Sequence, residues 1–215
     1  MRVAVFGDVH GNLIALERFV AETRATVDAY LCLGDVVDYG PWNDECLEIV
    51  CQLPGIVFLE GNHERLFLGT EDLKHELPLV QAFFKHSHAS FSRYDLIQKL
   101  PRRIKLGSFE CTHTIGGQSL YVDTPIDLVS NHIIGHTHHQ FRVERAGFTL
   151  LNPGSVGQNR KWIDMVDFAI VETESEEISM RSVRYDVDMF VSELRRRHYP
   201  ADCLSYYNRK PRKGA

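Results

Sequence analysis

The chain has 215 residues, 44% of them apolar and 25% charged, with a formal net charge of -5. That length allows one domain with a sizeable core, and the balance is that of an ordinary globular protein, not a disordered or membrane-embedded one. The negative charge argues against a nucleic-acid binder, and five cysteines without a CxxC pair argue against a disulfide framework and for a reducing, cytoplasmic setting.

Arg2 to Phe6 reads as a short strand ending at Gly7-Asp8-Val9-His10-Gly11-Asn12. The chain enters this strand at once, with no signal-peptide pattern and no run long enough to span a membrane. Leu13, Leu16 and Val20 have helical spacing, and Asn12 suits the cap. Ala29 to Leu33 is a second apolar run, bounded by Gly34 and followed by Asp35-Val36-Val37-Asp38-Tyr39-Gly40. Asn43 or Asp44 is expected to cap a second helix, stopped by Pro54-Gly55. Ile56 to Leu59 is a third strand, ending at Gly61-Asn62-His63-Glu64. Strand, loop and helix thus repeat, with polar clusters at the strand ends, as in open α/β sheets that place ligands at that edge.

Leu66 to Leu100 is mostly helical in pattern. Arg102 to Leu106 and Phe109 to Thr112 read as paired strands, the second running into His113. His132 to Ile134 is a strand ending at Gly135-His136-Thr137-His138-His139. Two hairpins follow, around Gly147 and across the acidic link Glu172 to Glu177, with the turn Asn152-Pro153-Gly154-Ser155 between them. Asp188 to Arg197 is expected to be the terminal helix. No linker or repeat divides the chain, which reads as one domain over 1–208 with a frayed basic tail over 209–215.

Asp8, His10, Asp35, Asn62, His113, His136 and His138 collect at these strand ends. Carboxylate, imidazole and amide donors suit borderline divalent metals, and there are more of them than one tetrahedral site needs. A second ion sharing a bridging carboxylate would use them all. Asp-x-His and His-x-His pairs on extended segments would point both side chains one way. Each cluster alone is weak, and Asp35 alone is ordinary turn chemistry; the coincidence of five is the signal.

These segments resemble the calcineurin-like metallophosphoesterases. The matching pieces are Asp8-Val9-His10, Gly34 to Gly40, Gly61-Asn62-His63-Glu64, His113 and Gly135-His136-Thr137-His138, in the family's order. Asn152-Pro153-Gly154-Ser155 is similar to the small prokaryotic phosphodiesterase branch. The resemblance implies a four-layer α/β/β/α sandwich with two mixed sheets. It implies one metal on Asp8, His10, Asp35 and His138, and a second on Asp35, Asn62, His113 and His136. The expected ions are Mn in the first place, with Fe, Zn or Ni as alternatives. Asp35 would be the bridge, His63 the catalytic acid and Asp38 its partner. Two departures stand out. Tyr39 occupies the place of a phosphate-binding Arg in the protein Ser/Thr phosphatases, and Thr114 follows His113 where relatives commonly have a His-Gly step.

The chemistry expected of such a site is hydrolysis of a phosphodiester, in preference to a monoester, by attack of a metal-bridging hydroxide. The alternatives are a protein phosphatase, against which Tyr39 argues, and a dinucleoside-polyphosphate hydrolase. A non-catalytic scaffold would be expected to have lost ligands or His63. The partner is a small phosphorylated substrate, with a nucleotide among the candidates. His86 and His88, two apart on a helical stretch, do not share a face and are not expected to bind metal together. Arg160 could reach a phosphate or be solvated.

Overall fold

The computed structural model describes residues 1–214. Ala215, the last residue of the expected basic tail, lies outside them. Two five-stranded mixed sheets pack face to face and are flanked by helices. The first contains β1 (Arg2–Phe6), β2 (Ala29–Cys32), β3 (Val57–Phe58), β9 (Met165–Glu172) and β10 (Ile178–Arg184) in the order β10-β9-β1-β2-β3. The second contains β4 (Arg103–Leu106), β5 (Phe109–Thr112), β6 (Asn131–Ile133), β7 (Gln140–Arg145) and β8 (Phe148–Pro153) in the order β4-β5-β6-β8-β7. β1, β2 and β3 run parallel, as do β5, β6 and β8; the remaining pairings are antiparallel.

Alternation along the strands explains the layers. Val3 and Val5 join Leu31, Leu33, Phe109, Ile133 and Leu151 between the sheets. Their neighbours Ala4, Phe6, Tyr30 and Cys32 face the opposite way, into the helical layer. Side chains alternate across a strand, so β1 is apolar on both faces because both are covered. The helices α1 (Leu13–Thr23), α2 (Asn43–Cys51), α3 (Asn62–Phe67), α4 (Pro78–Ser87), α5 (Tyr94–Ile97), α6 (Val187–Arg196) and α7 (Ala201–Asn208) complete the chain. Among the described residues no helix is long and apolar enough to cross a membrane.

Three local expectations are corrected. The cap of α2 is Trp42, and Asn43 is the first helical residue. The Asn43 side chain accepts from Asp38 N and donates to Ser87 O, so it serves the loop before the helix. The helix expected at Asp188 begins at Val187 and is not the last: α7 follows, entered through Pro200. The described part of the basic tail is held against the domain rather than frayed. Pro211 O accepts from Ile163 N, and Arg212 makes a bidentate pair with Asp188.

Candidate metal centre

Each candidate ligand follows the carboxyl end of a parallel strand. Asp8 and His10 follow β1, Asp35 follows β2, Asn62 follows β3, His113 follows β5, and His136 and His138 follow β6. The two sheets therefore bring their ligand loops to one edge. The route is not the expected one. Asp8, His10, Asp35, His136 and His138 all have positive φ, between 52° and 70°, so the Asp-x-His and His-x-His segments are not extended. Left-handed backbone costs free energy in a residue with a side chain. Ten non-glycine residues with positive φ occur among the described residues, and seven of them are these five with Asp38 and Tyr39.

The strain is held by a specific scaffold. Glu64 is fully buried, and its carboxylate accepts from Asp35 N (2.7 Å), Val36 N (2.7 Å) and Gly61 N (2.8 Å). It binds the Asp35 loop to the Asn62 loop. Nothing local in the sequence shows that a carboxylate 29 residues away will close this loop. Gly61 is required by close approach: a Cβ there would sit 2.1 Å from Asp35 Oδ1. On the other side, Asn152 donates to Gly135 O and Thr137 Oγ1, and Ser155 Oγ donates to Asp8 O. The Asn152–Ser155 turn thus ties the His136 and Asp8 loops together.

The donor atoms converge in two groups. His10 Nδ1 lies 3.1 Å from Val37 O and His138 Nδ1 lies 3.0 Å from Gln158 O, so each ring gives its hydrogen to a carbonyl. Their Nε2 lone pairs then face one another across 3.1 Å, with Asp8 Oδ1 3.5 Å from His138 Nε2. Burial holds both rings well below the usual histidine range, with the charge of His63 adding to this at His10 and that of Arg160 at His138. Two neutral acceptors at that separation call for a cation.

The second group is richer in oxygen. His113 Nδ1 gives its hydrogen to Leu33 O (2.9 Å), and Nε2 points to Asn62 Oδ1 (3.0 Å) and Asp35 Oδ2 (3.1 Å). His136 Nδ1 lies 2.9 Å from the same Asn62 oxygen. Asp35 Oδ2 is buried and receives no well-directed hydrogen bond. Burial would lower His113, but Asp35 outweighs it and raises the ring to about 9. Asp8 is raised to about 7, first by burial, while the surrounding histidines hold Asp35 well below the usual carboxylate range despite its burial. Asp8 with His10 and His138, and Asp35 with His113 and His136, each place their ligand atoms within 4.8 Å of one another. Asp35 belongs also to a group with His10 and His63. Lone pairs facing lone pairs, and two buried carboxylates among imidazole nitrogens, fit divalent cations.

His63 Nδ1 sits 2.8 Å from Asp38 Oδ2. Asp38 is fully buried and its other oxygen accepts from Ser87 Oγ (2.7 Å). Burial would lower His63, but Asp35 and then Asp38 raise it to about 9. A cavity of about 380 Å³ opens over this edge, lined by Asn62, His63, His136, His138, Tyr121 and Arg160 among others. Asn12 is the α1 cap, accepting from Ala15 N. His88 stacks on Phe84, and His86 lies on Tyr199. Tyr39 is packed between His10, His63 and Phe83.

A family model described as calcineurin-like phosphoesterase matches residues 1–164. An uncharacterized protein of Methanocaldococcus jannaschii is 24% identical over 229 aligned residues, 92% of this chain and 93% of that protein. The crystal structure of a metallophosphoesterase from Sphaerobacter thermophilus shares the fold at a TM-score of 0.76 and 24% identity, covering 97% of this chain and 98% of that one. A hypothetical protein from Pyrococcus horikoshii OT3 does so at 0.81 and 16% identity, covering 96% and 97%. With the family model matching most of its length, and the fold shared from end to end, the chain belongs to the calcineurin-like phosphoesterase family of metal-dependent phosphoester hydrolases.

Proposed function

We propose that this chain hydrolyses phosphodiester bonds with two divalent cations, Mn in the first place. Asp8, His10, Asp35 and His138 would hold one, and Asp35, Asn62, His113 and His136 the other. The observation that carries the reading is the buried Asp35 carboxylate, which shares one group of close ligand atoms with His113 and His136 and another with His10 and His63. When bound, the cations would neutralise phosphoryl charge and make water acidic enough to attack near neutral pH.

The chain's own residues supply the rest. His63 is the proton donor to the leaving oxygen, and its Nε2 is the nitrogen left free by the Asp38 contact. Asp38 fixes the tautomer and favours the protonated ring, and Ser87 holds Asp38 in place. Cations on Asp35 would offset that carboxylate's pull on His63, which raises the ring to about 9 without them, and so lower its pKa. The ring could then both give and regain a proton.

Tyr39 supports a diester over a phosphoprotein substrate. It is buried against His63 and offers no charge where the protein phosphatases carry an Arg. Proteins described as a putative diadenosine tetraphosphatase and an archaeal phosphodiesterase share this fold at TM-scores of 0.55 and 0.51, so the scaffold suits nucleotide-sized phosphate compounds. Five free cysteines, four of them buried, support a cytoplasmic setting. The test is turnover of a panel of phosphodiesters, monoesters and nucleotides by chelator-treated protein and by protein reloaded with Mn, Fe, Zn or Ni. Activity restored by Mn, greatest on diesters, is the expected result. Full activity in metal-stripped protein would overturn the reading.

A further inference from the structure

Arg160 and Lys210 stand on one tyrosine ring. The Arg160 guanidinium carbon is 5.7 Å from the Tyr206 ring centre and the Lys210 ammonium is 4.9 Å from it. Arg160 Nη1 also donates to the Tyr206 hydroxyl, and Arg160 N is bonded to His138 O. Among the described residues neither cation has a carboxylate within 4.0 Å. Arg160 lines the cavity over the metal centre. Tyr206 and Lys210 line a second cavity of about 630 Å³ between α4 and α7, with Pro78, Leu79, Ala82 and Arg209 in its wall. A lining residue of the first cavity, Arg160, thus touches a lining residue of the second, Tyr206.

Two like charges kept on one ring without a counter-charge repel each other, and the repulsion is weakly screened where the groups are half-buried. Lys210 shows it: burial and then Arg160 lower its pKa. Aromatic contact offsets part of this cost, and an anion between the cations would offset the rest. The second cavity has an apolar side, Pro78, Leu79 and Ala82, that suits an organic group beyond that anion, and a polar side that carries Asp202 and Ser205 with Arg209 and Lys210.

We propose that Arg160, Tyr206 and Lys210 form an anion-binding step leading out of the metal centre, and that the substrate carries a second phosphate next to the one that is cleaved. This rests on the phosphoesterase reading for the first phosphate only. Arg160 touches the scissile group or its neighbour, Lys210 binds the neighbour, and Tyr206 is the positioning residue between them.

The test is calorimetric binding of inorganic tripolyphosphate and of orthophosphate to chelator-treated protein, which avoids sequestration of metal by the probe. Tripolyphosphate is expected to bind at least tenfold more tightly than orthophosphate. Lys210→Gln is expected to remove most of that preference, and Tyr206→Phe to weaken it in proportion to the lost hydroxyl contact. Lys105→Gln, an exposed change of equal charge on β4, is expected to leave it intact. Equal affinity for the two phosphates, or an equal loss in Lys105→Gln, overturns the proposal. Selective binding in a protein that turns over no phosphoester when Mn-loaded would overturn the enzyme reading and leave the anion step standing.

Discussion

Two pairs of histidines share one site and behave in opposite ways. His10 and His138 face each other through nitrogen, 3.1 Å apart, and both are driven well below the usual range. His63 and His113 face carboxylates and both rise to about 9. All four are buried, and burial lowers each of them. What differs is the neighbour. Opposite a carboxylate, a proton can stand where a cation would. Opposite another lone pair, a single proton would still leave a buried positive ring, and only a cation with further ligands satisfies both nitrogens. The centre is thus half-compensated by protons and half dependent on metal.

The strongest way to break this difference is at Asp35, which serves both halves. Asp35→Asn removes the charge that raises His63 and His113. Turnover should fall below detection, more than the roughly 10–100-fold typical of an outer partner. Metal analysis should find fewer than two ions per chain. Two tightly held ions in this variant would show that Asp35 is not the bridge.

His63→Ala separates the proposed acid from the proposed ligands. General-acid help is worth roughly 10²–10⁴-fold, and it matters most when the leaving oxygen is basic. The variant should lose little on a bis-nitrophenyl diester and far more on an alkyl or nucleoside ester, with both metals bound. A loss of equal size across leaving groups of rising pKa would make His63 a site-organising residue instead.

Glu64→Gln tests the scaffold. A carboxamide cannot accept from Asp35 N, Val36 N and Gly61 N with both ends. Metal affinity should weaken by roughly 10–100-fold, while the leaving-group dependence of the remaining activity stays as in the parent. A changed leaving-group profile with unchanged metal affinity would place Glu64 with His63 and not with the ligands.

The seven expected ligands could be picked out because each follows a short apolar run, and strand ends are local features. The layered fold could be read for the same reason: β1, β2 and β3 each end in Gly and a polar cluster. What could not be read is held by long-range contact. Glu64 binds amides 28 and 29 residues away, and Arg160 meets Tyr206 across 46 residues. α7 carries the buried Cys203 and Tyr207 but follows Pro200 so closely on α6 that no separate periodic pattern marks it. The left-handed turns at Asp8, His10, His136 and His138 escaped for another reason. Non-glycine residues adopt such turns only when surroundings impose them, and those surroundings are Asn152, Ser155 and the partner sheet.

The smallest effect expected is on stability, and it isolates the proton-compensated half. In the unfolded chain histidine titrates near 6.5; in the folded, metal-free protein His63 and His113 titrate near 9. Between those values the folded state binds more protons than the unfolded one, so stability must fall as pH rises. Their contribution is fully present below pH 6.5 and lost as pH passes through 9. Asp8, raised to about 7, adds the same sign at the lower end. His10, His136 and His138, neutral when folded, add a slope of the opposite sign that fades within about one pH unit above 6.5, where the unfolded rings are neutral too. Chelator-treated protein should therefore lose Tm from about pH 7.5 to 9, each kcal/mol shifting it by roughly 2–4 °C in a chain of this length. With Mn bound, the cation takes the place of the His113 proton, and ligand deprotonation favours binding as pH rises. The Mn-loaded protein should hold its Tm across the same range. A Tm that is flat or rising in the chelated protein would mean that His63 and His113 are not charged there, and the two pairs of histidines would then not differ.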